Sequence, residues 1–227
     1  MQVDIKYGPG NAAARVQLEP GETCTSESGA MISMSGDMQI KTTTHQKGKR
    51  GIFKALKRMV AGESFFMNHF TAGPNGGEIW LATTLPGDMM CYELENENLI
   101  VQGGSFVACE HGVEVDLGWE GFKSFLSGEN VFWLHLNGSG KVIINSFGAI
   151  YPIQVDGEHI VDTGHIVAFN ETLNFTITKA GKSWLSSFLG GEGFVCKFSG
   201  TGTVYCQSHN PSAFGQAFGP ILKPRTN

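Results

Sequence analysis

Apolar and polar residues alternate over short stretches of the chain, and the stretches recur. Met38-Gln39-Ile40, Val113-Glu114-Val115 and Leu173-Asn174-Phe175 each read as a half-buried strand. Each follows a glycine-led apolar run: Ser28-Gly29-Ala30-Met31-Ile32, Gly103-Gly104-Ser105-Phe106-Val107 and Thr163-Gly164-His165-Ile166-Val167. With Gly29, Gly104 and Gly164 superposed, Met38, Val113 and Leu173 fall into register, and so do Ile40, Val115 and Phe175. A slip of one residue would turn these side chains to the wrong face, so agreement this far downstream signals repetition better than the glycine does.

A second pattern also occurs three times. Gly62-Glu63-Ser64-Phe65, Gly128-Glu129-Asn130-Val131 and Gly191-Glu192-Gly193-Phe194 each read as the opening of a β-hairpin. The return strands are predicted at 78–82, 141–144 and 203–206, after Gly77, Gly140 and Gly202. Short helical patches are predicted at 51–61, 121–126 and 183–189. The first carries Phe53, Leu56 and Val60 on one face, and all three are too short to hold without tertiary packing. Leu18-Glu19-Pro20-Gly21-Glu22 reads as a turn, with proline setting φ and glycine at the strained position.

These patterns predict an all-β single domain of three fused units, at about 1–85, 86–152 and 153–211, joined by short helices. No Pro- or Ser-rich linker separates them. The tail at 212–227 carries Phe214, Phe218, Ile221 and Leu222, which are expected to pack on the body or on a neighbouring subunit. Composition agrees with many tight turns between strands: 31 glycines stand against 8 prolines, and only 16% of residues are charged. The net charge of −5 excludes nucleic-acid binding over the whole surface. No apolar run approaches the roughly 18 residues that would span a bilayer. Met1 to Gly10 lacks a signal-peptide pattern, so the expected address is the cytoplasm. The five cysteines are odd in number and form no Cys-x-x-Cys. Cys196 and Cys206 lie symmetrically about Thr201, placed to face each other across a hairpin, and are read as small buried hydrophobes.

Several of these stretches, in this order, carry a family resemblance. They are Leu18-Glu19-Pro20-Gly21-Glu22, Gly29-Ala30-Met31, Gly62-Glu63-Ser64-Phe65, Pro86-Gly87-Asp88 and Asp162-Thr163-Gly164-His165-Ile166-Val167-Ala168-Phe169. The chain resembles the altered-inheritance-of-mitochondria protein twenty-four family. That resemblance implies three subdomains like those of the tryptophan RNA-binding attenuation protein, of the double-stranded β-helix class, about a pseudo-threefold axis. It implies no established activity and no cofactor. The mitochondrial members are linked to inner-membrane organisation. Nothing here reads as a transit peptide, so that role is not carried over.

Candidate chemistry is sparse. The cupins, of the same fold class, need a His-x-His, and none occurs. His159 and His165, with Glu158 and Asp162 nearby, are the weak metal candidates, but no third ligand is evident. His69 and His135 fall at matching places, with Phe198 in the third unit, and are read as structural. Gly138-Ser139-Gly140-Lys141-Val142 lacks the spacing and hydroxyl of a phosphate loop. Glu63, Glu129 and Glu192 recur with the hairpins, which points to architecture. One feature breaks the threefold pattern: Lys41, Lys47, Lys49, Arg50, Lys54, Lys57 and Arg58 lie between 41 and 58 with no acid among them. Such a segment can meet the phosphates of lipid or nucleic acid. The expected function is therefore a non-enzymatic scaffold or binding protein, homo-oligomeric, contacting an anionic partner through 41–58. The alternative is a cupin-like metal-dependent enzyme or small-ligand binder.

Overall fold

The computed structural model describes residues 1–44, 66–116, 132–179 and 194–222. The predicted helical patches and Gly-Glu motifs lie outside the described residues, as do the basic residues from Lys47 to Arg58. The described chain is mostly strand, as the alternation predicts. A four-stranded sheet runs β1-β2-β7-β4, built from Gln2–Lys6, Ala13–Leu18, Gly77–Leu81 and Met31–Met34. The remaining strands form a second sheet. They are β3 (Thr23–Glu27), β5 (Gln39–Thr44), β6 (Phe66–Thr71), β8 (Met89–Gln102), β9 (Phe106–Glu110), β10 (Val113–Asp116), β11 (Trp133–Asn145), β12 (Ile150–Asp162), β13 (Ile166–Asn170), β14 (Asn174–Lys179) and β15 (Phe194–Gln207). Its path is β12-β15-β13-β8-β11-β9-β3-β6-β5, with β10 on β11 and β14 on β15.

One pairing scheme recurs along this path. β8 runs antiparallel to β11 from Gln102↔Trp133 to Met89↔Asn145, and β12 runs along β15 from Asp162↔Val195 to Ile150↔Gln207. At the start of the chain, β2 with β3 and β7 with β6 take the corresponding places. The strand after each glycine then pairs with the far part of the partner: β4 on β7, β9 on β11, β13 on β15. Each of these three ladders slips at its first step, between Met31 and Ser33, Ile143 and Ile144, and Ile166 and Ala168. Gly29, Gly104 and Gly164 all occupy the connection that precedes the slip.

Two expectations are corrected. The chain does not run out and back after the Gly-Glu motifs, because β11 and β15 are single long strands. Gly138-Ser139-Gly140 bends β11 without reversing it. Gly138 has φ of +109°, and a Cβ there would lie 2.4 Å from the Gly112 carbonyl oxygen. The partner strand absorbs the bend at Asn96, where the register jumps and φ is +53°. Secondly, His69 and His135 correspond to Lys197 rather than Phe198. They stand opposite Lys41 and Asp116, as Lys197 stands opposite Thr176, whereas Phe198, Phe70 and Leu136 face Phe175, Ile40 and Val115.

Burial follows three linked clusters. Val16, Phe70, Ile79 and Leu81 anchor the first, Leu99, Phe106, Leu134 and Val142 the second, and Phe169, Phe198 and Val204 the third. In the third, the Phe169 ring lies 5.0 Å from Phe198, 5.5 Å from Phe175 and 5.7 Å from Trp133. Such edge-to-face sets add to simple area burial. The described part of the tail carries a short helix, α1 (Pro211–Phe218), capped by Asn210, and a 3-10 turn at Gly219–Ile221. Phe214 rests against Phe147 at 5.2 Å, while Phe218, Ile221 and Leu222 stay exposed.

Candidate functional site

Two features could carry function: a pair of open strand edges and a polar cavity. The edges follow from how consecutive parts of the sheet are joined. β9 pairs with β3 (Cys24↔Glu110, Thr25↔Cys109, Ser26↔Ala108), and β13 pairs with β8 (Leu99↔Asn170, Ile100↔Phe169, Val101↔Ala168). At both junctions the strand after the glycine adds to the strand of the preceding part. The same kind of edge is left without a strand twice among the described residues. β4 pairs only with β7, and β12 only with β15. The side chains register the difference. Phe106 to Cys109 and Ile166 to Phe169 are buried, whereas Met31 and Ile32 of β4 are 39% and 58% exposed. Ile160 of β12 is 61% exposed where Ile100 of β8 is fully buried.

The cavity, of about 320 Å3, lies where β3 and β8 end. Glu27, Ser105, Asn145, Gln207, Leu85 and Phe147 are among the residues lining it. Most polar groups here are engaged with one another. Gln207 accepts from the Phe147 amide (2.8 Å) and donates to the Gly164 carbonyl (2.9 Å). Asn145 accepts from Thr83 Oγ1 (3.2 Å) and donates to the carbonyls of Ser105 (3.1 Å) and Gly104 (3.3 Å). Glu27 differs. No hydrogen bond or ion pair holds its carboxyl among the described residues, and burial alone pushes it up to about 7.

A second polar cluster holds Met1 against the body. The Met1 ammonium sits between the carboxylates of Glu22 and Glu110. The Lys141 amide donates to Glu110 (2.8 Å), and Lys141 Nζ donates to the Met1 carbonyl (3.2 Å). Burial works against both charges, but pairing outweighs it: the ammonium is held above its ordinary range and Glu110 below its own.

The residues singled out in the sequence are scattered. His159 is exposed on β12, opposite Phe198. His165 follows β12 in a short turn, where Nδ1 donates to the Gln207 carbonyl at 2.8 Å. Glu158 pairs with Lys197 at 2.6 Å, and Asp162 accepts from the Gly164 amide at 2.8 Å. No group of three or more His, Cys, Asp or Glu suited to a metal occurs among the described residues. His69 lies between Thr25 (2.9 Å) and Thr43 (2.7 Å), and His135 meets Glu171 at 3.2 Å. Lys41 is exposed on β5. Cys196 and Cys206 share β15, ten residues apart, which at about 3.3 Å per residue keeps them far beyond bonding distance. Burial pushes both thiols up to about 12. Sequence reasoning missed Glu27 and did not say which strand edges stay open.

No helix among the described residues is long and apolar enough to cross a membrane. The chain is 27% identical over 219 residues to an uncharacterized protein of Streptococcus pyogenes serotype M6, covering 93% of this chain and 87% of that protein. A Streptococcus pyogenes protein solved by X-ray crystallography superposes with a TM-score of 0.79 at 26% identity, covering 97% of this chain and 99% of that one. The sequence profile of Mitochondrial biogenesis AIM24 matches residues 3–209. This match covers nearly the full length, and it shows the family: the chain belongs to the Mitochondrial biogenesis AIM24 family.

Proposed function

We propose that the protein is a non-enzymatic scaffold that assembles by strand addition, β4 of one copy joining β12 of the next. In this reading the three pairing sets are fused modules, at about 1–85, 86–152 and 153–211. The single observation behind it is the contrast in exposure. The strand after the glycine is buried where it pairs with a preceding part of the chain and exposed at β4, which among the described residues pairs with β7 alone. An edge with free N–H and C=O groups and apolar side chains is a template for another chain. Because the two edges are unlike, the contact is heterologous, giving a ring if the rotation closes and a filament if it does not.

The test is light scattering on purified full-length protein. Wild type is expected to run at multiples of 24.5 kDa. Ile160→Lys and Ile32→Lys, each blocking one edge, are expected to reduce the mass. Mixing the two variants restores a dimer, because each keeps the edge the other lacks. Wild type that stays a monomer at high concentration, or variants that keep the full mass, would reject the proposal.

A second reading adds an anionic partner. Seven of the chain's 16 Lys and Arg fall within 41–58 without an intervening acid, and an assembly would repeat that charge along its length, raising avidity. The expected behaviour is salt-sensitive binding to anionic vesicles or RNA. Exchanging Lys49, Arg50, Lys54 and Lys57 for Gln abolishes it; unchanged binding discards the segment.

A further inference from the structure

We propose that the cavity beside Glu27 is a binding site for a small organic cation, an aliphatic ammonium seated against the Glu27 carboxylate with its short chain against Leu85 and Phe147. The observation comes from comparing three residues in one structural place. Glu27, Gln102 and Asp162 each close their strand just before the glycine connection, opposite Met67, Trp133 and Val195. Two of them are engaged with the turn that follows. Gln102 Oε1 accepts from Ser105 Oγ at 3.0 Å, and Asp162 Oδ1 accepts from the Gly164 amide at 2.8 Å. Glu27 makes no such bond, although its strand runs into the same connection. An ionisable side chain left unengaged where both counterparts serve their own turns is available to a ligand.

The lining selects the class of ligand. Among the described residues Glu27 is the only ionisable one lining the cavity, so a cation is favoured and an anion is not. The titratable groups on the strands flanking β3 line none of it: His69 on β6, and Cys109 and Glu110 on β9. A hard divalent ion needs several free oxygens. Here there is one carboxylate, while Asn145 and Gln207 are held by Gly104, Ser105, Gly164 and Phe147. Leu85, Phe147, Ala30, Ala82 and Pro211 supply an apolar share of the wall, against which a short alkyl chain can rest, beside the hydroxyls of Ser28, Thr83 and Thr84. A volume of about 320 Å3 falls at the small end of ligand pockets.

The test uses n-butylammonium as probe, with n-butanol as its uncharged counterpart, on full-length protein followed by amide NMR. At pH 8, saturable shifts of the Ser28, Ala30 and Gln102 signals are expected with n-butylammonium and not with n-butanol. Affinity should fall about tenfold at pH 6, where a carboxyl titrating at about 7 is mostly protonated. Glu27→Gln should lose the response. Ala82→Leu, which fills the cavity and keeps the carboxyl, should lose it too, and an unchanged far-UV spectrum establishes that each variant is folded. No saturable shift in wild type, equal response to n-butanol, or an undiminished response in either variant would overturn the proposal. Assembly through β4 and β12 is a separate matter, read by mass.

Discussion

Ile100 and Ile160 stand at the same place in their strands, two residues before the end of β8 and of β12, yet Ile100 is fully buried and Ile160 is 61% exposed. Ile100 is covered because β13 lays Phe169 alongside it. Lysine at the two positions should therefore act differently. Ile100→Lys buries an unpaired charge and is expected to prevent folding or cost several kcal/mol. Ile160→Lys should leave the midpoint of single-chain thermal unfolding within a degree or two and act on mass alone. Melting curves at low protein concentration separate the two.

Glu27 gives a pH signature of its own. Its carboxyl titrates at about 7 in the fold, above the ordinary 4.5, so the native state holds the proton longer than the unfolded chain does. Wild-type stability from this group is full below about 4.5 and is lost as pH rises through 7. Glu27→Gln should match wild type near pH 4 and exceed it at pH 8 by on the order of 2 kcal/mol, allowing for partial solvent access. Urea unfolding at the two pH values measures the difference.

The cluster at Met1 titrates in the opposite sense at each end. Glu110, depressed by the ammonium and the Lys141 amide, contributes above its ordinary value and loses the contribution as pH falls through the lowered one. The Met1 ammonium, held up by Glu110 and Glu22, contributes below 8.0 and loses the contribution as pH rises through its raised value. Glu110→Gln is expected to cost about 1 kcal/mol at pH 7 and to flatten both limbs of a stability–pH curve.

Thiol chemistry should single out one cysteine. Cys24, Cys109, Cys196 and Cys206 are buried and Cys91 is exposed. Mass spectrometry after brief alkylation of native protein should find one adduct, absent in Cys91→Ser, and five in denaturant.

The third core is expected to be the least tolerant of truncation. Phe169 packs against Trp133, Phe175 and Phe198, and Phe169→Ala leaves a void that its neighbours cannot close, costing about 3–5 kcal/mol in chemical denaturation.

Much of this fold was legible because strand faces impose a strict period. The register that aligns Ile40, Val115 and Phe175 in the sequence reappears as three cross-strand pairs, with Phe70, Leu136 and Phe198. The glycine clusters were not legible. Gly138-Ser139-Gly140 has the composition of a turn, and what makes it a bend is a partner strand about 40 residues upstream with Asn96 bulged to match. Local sequence does not contain that partner. Glu27 left a faint signal: the position two before each aligned glycine is polar all three times, as Glu27, Gln102 and Asp162. Which of them lacks a bond depends on the geometry of the following turn. Which edges stay open left no local signal, since among the described residues Ile160 differs from Ile100 only in lacking a strand like β13 beside it.

The inequality of β4 and β12 has a consequence for mixtures. A copy blocked at β12 still offers a sound β4, so it can join a growing end and then stop it. Traces of Ile160→Lys added to wild type would act as a terminator, shortening filaments or breaking rings in proportion to dose. A symmetric dimer, whose copies meet through identical patches, would instead lose only the share of pairs that contain the variant.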